Sequence, residues 1–233
     1  MSSLIPVSLQ AGSSGAGVSA VQRNRVLRNT YWLLALSMVP TVLGAWVGVS
    51  TGIASAMSSG FGLIVFLVGA FGFMFAIEKT KNSSAGVPVL LAFTFFMGLM
   101  LSRLIGQVLG LANGANLVML AFAGTGAIFL GMASLSSVIK RDLSSMGKFL
   151  FIGAVMLLVA GIANFFIQSS ALMITLSVLA IGIFSAFILH DLKRVHDGLE
   201  TNYISATLGV YLSIYNVFQS LLAVFGLTSG RDE

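Results

Sequence analysis

The chain has 233 residues, 57% of them apolar and only 8% charged, with a mean hydropathy of +1.01. Soluble domains carry about 25% charged residues, so this chain cannot make a water-facing surface, which excludes a soluble enzyme, a nucleic-acid module and a disordered chain. The net charge of +5 is no nucleic-acid signal, because no basic block exceeds two adjacent residues, and the lack of cysteine rules out disulfides, thiolate catalysis and Cys-ligated metals.

Residues 1–29 are Ser/Gly-rich, hold no acid and end in Arg23, Arg25 and Arg28, which reads as a flexible basic cytoplasmic tail. Seven apolar runs follow, at 30–49, 59–77, 87–109, 115–138, 149–167, 171–189 and 203–227, before a short tail at 228–233. Each is long enough to cross a hydrocarbon core of about 30 Å as a helix, which satisfies its own backbone groups in lipid. A transmembrane barrel would show weak alternating segments of about 10 residues instead. The expected fold is therefore all-α, a polytopic membrane protein built as a seven-transmembrane-helix bundle. Pro40 predicts a kink in the first run. Gly44-xxx-Gly48 and Gly106-xxx-Gly110 have the spacing of close helix contacts.

Charge placement gives an orientation. Ten of the twelve Lys/Arg lie in the N-terminal tail and in the loops after runs two, four and six, and the loops after runs one, three and five hold none. The positive-inside rule puts the N-terminus in the cytoplasm, and seven crossings put the C-terminus outside.

The polar residues inside the runs need a reason, because lipid penalises them. Run seven carries Gly209, Ser213, Asn216 and Ser220 on one helix face, beside a stripe of Tyr203, Thr207, Tyr211 and Tyr215. Both stripes should face inward, either to bond neighbouring helices or to line a polar pathway, which makes the seventh helix central. Tyr211, Ser213 and Asn216 are candidate pathway residues. Arg103 is the intramembrane charge, in the outer half of run three, placed to snorkel to the interface or to stand at a pore mouth. Asp191 ends run six at the inner boundary, where its protonation could act as a gate. His190, His196, Asp197 and Glu200 match no zinc spacing, and the chain has neither HExxH nor GxSxG, so no catalytic, cofactor or metal residue is assigned.

The segment from Glu200 to Leu222, ETNYISATLGVYLSIYNVFQSLL, resembles the last helix of the Bax inhibitor-1 family, and FGFMFAIEKTKN at 71–82 is similar to the second-helix end of its YccA-like bacterial branch. The resemblance implies a seven-helix bundle around a central last helix in a bacterial inner membrane. It also implies association with the membrane-bound ATP-dependent protease FtsH and modulation of membrane-protein degradation. Some family members are pH-sensitive calcium leak channels with a sensor of two aspartates. Asp191 matches the first, but the second position is Ser213 here, and a carboxylate and a hydroxyl cannot share a proton as two carboxylates do.

Overall fold

A computed structural model describes residues 19–230. It contains α1 (Ala20–Thr51), α2 (Ile53–Ala56), α3 (Ser59–Thr80), α4 (Gly86–Leu109), α5 (Gly114–Val138), α6 (Met146–Ile167), α7 (Ser170–His196) and α8 (Tyr203–Ser229), and no strand among the described residues. All but the four-residue α2 are long and apolar enough to cross a membrane, so the fold is the seven-span all-α bundle expected from the sequence. The spans end where the turn chemistry directs. Ser19, Ser58 and Ser169 accept backbone N–H bonds from Gln22, Phe61 and Leu172, while Gly52 (φ +67°) and Gly198 (φ +75°) take the left-handed conformation that closes a helix.

Residues 20–29 depart from the sequence reading. They were expected in the tail, yet α1 starts at Ala20, so only residues 1–18 of that tail lie outside the described residues. The 32 residues of α1 make a rod of about 48 Å, longer than the bilayer core, so its first turns stand in the interface where Arg23, Arg25 and Arg28 meet water. Val26 holds these turns down, buried against Val195 of α7 and Ala206 of α8. α7 likewise runs seven residues past its apolar run, to His196. α1 continues through Pro40 without ending.

The centre of the bundle is α8. It buries 44% of its apolar window, against 6% for α6, and it packs on α1, α3, α4, α5 and α7. α6 leans on α7 alone among the extended contacts and shows Phe149, Phe151, Met156 and Phe166 to the lipid. The most extended pair is α1 with α4. There Gly44 faces the carbonyl of Phe95, Gly48 faces Ser102 and Gly98 faces the carbonyl of Thr41, each so close that a methyl group would collide. The Gly44-xxx-Gly48 motif thus packs helices as its spacing predicts. Gly106-xxx-Gly110 does not: Gly106 faces open space, and Gly110 caps α4 through its N–H to the carbonyl of Gly106.

Candidate functional site

The polar residues of α8 sort into two sides. On the side toward α1 and α4 the Thr/Tyr stripe reaches across to neighbouring backbones. Thr207 Oγ1 lies 3.4 Å from the carbonyl of Thr30, and Tyr215 Oη donates to the carbonyl of Met97 at 3.3 Å. Thr41 Oγ1 donates to the carbonyl of Ser37 at 2.8 Å, so its one proton is committed and Tyr211 Oη donates to Thr41 at 2.9 Å. Tyr211 is fully buried and meets Phe93 edge-on at 6.1 Å. Tyr211→Phe should therefore cost about 1 kcal/mol, within the range for a hydrogen bond between membrane helices. Reversible unfolding in mixed micelles, with Thr41→Val and the double variant, gives the coupling directly. A double-variant loss equal to the sum of the singles would show that the bond contributes nothing.

The other side of α8 faces α7. Gly209 lies opposite Asp191: a methyl group at Gly209 would come 2.8 Å from Oδ2 of the carboxylate. The absent side chain is thus the notch that receives Asp191. The other carboxylate oxygen lies 3.1 Å from Nδ1 of His190, whose Nε2 points at Gly147 of α6 in the same manner, 2.7 Å from where a methyl would sit. With Nδ1 protonated, the imidazole donates to the carboxylate. Asp191, Arg194, Glu200 and Ser205 line a cleft of about 80 Å³ at the basic end of the bundle, room for two or three waters at about 30 Å³ each. Arg194 lies 3.9 Å from Glu200, and Lys193, buried, pairs with Asp197. Among the described residues no three His, Asp or Glu side chains converge on a common point.

The four candidate pathway or gating residues, Asp191, Tyr211, Ser213 and Asn216, do not form one cluster. Ser213 donates back to the carbonyl of Gly209 at 3.0 Å, and Asn216 to that of Leu212 at 2.8 Å. Neither bonds Asp191, whose partner is His190, and Tyr211 belongs to the opposite side of α8. Arg103 lies near the far end, where Nη2 donates to Oγ of Ser59 at 2.9 Å, so the side chain reaches toward the start of α3. It lines a second cavity of about 450 Å³.

Two determinants were not visible in the chain. One is the pair of notches at Gly147 and Gly209, since a glycine in a helix gives no hint of what fills its space. The other is Asn202. Its Oδ1 caps α8 by accepting from Ile204 and Ser205 N–H at 2.9 and 3.1 Å, and its Nδ2 donates to the carbonyl of Lys81 at 3.1 Å and to Oδ1 of Asn82 at 2.8 Å. It thereby joins the two segments, ETNY and EKTKN, that carry the sequence resemblance.

This architecture defines a class: a multi-pass membrane bundle organised around a polar-cored last helix, with a small charged cleft at its basic end. The sequence model of the family described as "Inhibitor of apoptosis-promoting Bax1" matches residues 23–230, and the chain belongs to that Bax inhibitor-1 family. It is 36% identical over 220 residues, 94% of this chain and 97% of the relative, to the modulator of FtsH protease YccA of Escherichia coli K12. It is 37% identical to an uncharacterised protein of Neisseria meningitidis, across 91% and 95% of the two chains, and 35% identical to a membrane protein of Vibrio cholerae, across 91% and 93%. The same protein in another E. coli strain is named an inner membrane protein. With its seven apolar spans, the chain is a multi-pass inner-membrane protein.

Proposed function

We propose that the chain modulates membrane-protein quality control by associating with an FtsH-type ATP-dependent protease in its own membrane, by binding and not by catalysis. The observation that carries this reading is the end-to-end match to the relative named for that role, 36% identical over 94% of the chain. Packing supports it. A bundle whose α1–α4 seam is held backbone to backbone resists extraction, so it can occupy such a protease without being readily consumed. The segment ahead of Ser19 is the proposed handle. α1 begins directly after it, and the positive-inside rule puts that end in the cytoplasm and the C-terminus in the periplasm.

Association is tested by co-expressing the tagged chain with the E. coli protease and capturing it from mild detergent. The protease should co-purify, and deletion of residues 2–18, which leaves the Ser19 cap and α1 intact, should lower its recovery. Absence of the protease from the full-length capture would sink the reading. Orientation has its own check, because the chain has no native cysteine. A cysteine at Asn113, in the loop between α4 and α5, should react with an impermeant maleimide in spheroplasts. One at Ser83, between α3 and α4, should react only after lysis.

A second reading, a pH-sensitive leak for calcium ions gated near Asp191, draws on one observation. Gly209 of the cleft and Tyr215 of the cavity stand about 9 Å apart along the axis of α8 at 1.5 Å per residue, on different sides of the helix. In calcium-loaded liposomes, flux that changes with pH and with Asp191→Asn would support it, and no flux would remove it.

A further inference from the structure

The cavity at the end opposite the basic loops lies away from the proposed N-terminal handle. It holds about 450 Å³ and is walled by α2, α3, α4, α6, α7 and α8. Its body is apolar, from Leu63, Phe66, Met100 and Phe165, and Tyr215 closes its inner end. Its polar groups are Arg103, Ser59, Gln107 and Gln219. α3 packs on α4 and touches α8, but it has no extended contact with α6 or α7. The side between α3 and the α6–α7 pair is therefore where no extended helix packing closes the cavity against the bilayer.

Arg103 sets the chemistry. Its Cα lies about 9 Å along α4 from Leu109, yet its guanidinium bonds Ser59, the first residue of α3. The charge thus stands at the level where α3 enters the membrane. One of its five N–H donors is used in that bond. Among the described residues no carboxylate pairs with it, since the ion pairs all lie at the basic end. A guanidinium fork at headgroup level, above an apolar space that no extended helix packing closes on that side, fits a phosphate carrying an acyl chain.

We propose that this cavity binds an anionic phospholipid from the leaflet opposite the basic loops, with its phosphate on Arg103 and an acyl chain in the apolar body.

The test is native mass spectrometry of the purified full-length chain in micelles holding equal amounts of phosphatidylglycerol and phosphatidylcholine. Wild-type protein should retain phosphatidylglycerol in clear preference. Arg103→Gln should lower that retention at least about tenfold, the loss expected for a hydrogen bond to a charged group, and Arg103→Lys should recover part of it. Gly62→Leu is the second variant. The empty side-chain position of Gly62 faces Nη1 of Arg103 at 3.8 Å with nothing else near, so leucine fills the cavity while favouring the helix. It should lower retention with the charge still present, and Lys148→Gln, at the basic end, should leave retention unchanged. Equal retention by wild type, Arg103→Gln and Gly62→Leu would overturn the proposal, and if Arg103→Gln aggregates, Gly62→Leu decides. Inorganic phosphate is the other arm. Should it displace the lipid and bind the delipidated protein with the same dependence on Arg103, the site takes a free anion and the lipid assignment is wrong.

Discussion

Gly98→Val should destabilise the bundle by about 3 kcal/mol or more, the upper end of the range for overpacking. At this position the Cβ would collide with the main-chain carbonyl of Thr41, which cannot swing aside as a side-chain tip can. α1 and α4 would have to separate along a seam also set by Gly44 against Phe95 and Gly48 against Ser102. Membrane helices associate through such close packing, with no hydrophobic drive to compensate for its loss. Gly106→Ala, two turns further along the same helix, meets nothing within 4 Å and should be neutral or stabilising by up to about 1 kcal/mol. Denaturant titration in mixed micelles separates the two glycines. Equal losses would show that the seam does not limit stability.

Asn202→Ala should cost about 2–3 kcal/mol, the sum of a lost N-cap and two lost bonds to the α3–α4 turn. Asn202→Asp separates these contributions. It keeps the acceptor that caps Ile204 and Ser205 but loses both N–H donors to Lys81 and Asn82, so its loss should be smaller by about the 1 kcal/mol of the cap. If the two substitutions cost the same, the cap is idle and the tie to the turn carries the whole effect. Either substitution should also expose the turn after α3 to proteolysis, because Asn202 is what ties that turn to the start of α8.

The spans were legible because lipid demands long apolar runs; between runs five and six the structure leaves only Gln168 and Ser169 outside the helices, with α6 ending at Ile167 and α7 starting at Ser170. The helix ends were less legible. Hydropathy reports only the lipid-immersed part, so the first turns of α1 and the last of α7 escaped it, and α2 is too short to show any period. The centrality of α8 followed from its polar stripes, since only an inward face satisfies them. What each stripe touches did not follow, because pattern gives a face and no partner. The glycine motifs make the same point: spacing selected Gly106, whereas the contact belongs to Gly98, whose partner is a carbonyl on another helix. At the candidate site, Asp191 was legible as a boundary carboxylate. Its partner was not, since adjacent residues on a helix normally diverge, and only the notches at Gly147 and Gly209 let His190 and Asp191 meet.

On the proposed function, the bundle modulates membrane proteolysis by occupying the protease. The most direct measurement is a pulse-chase of a misassembled membrane substrate of FtsH, in E. coli lacking its own relative, with and without the chain at levels where the two co-purify. The substrate should decay more slowly when the chain is present, and Gly98→Val, which loosens the bundle, should restore fast decay as it is itself degraded. An unchanged substrate half-life at those levels would show that the chain does not restrain the protease.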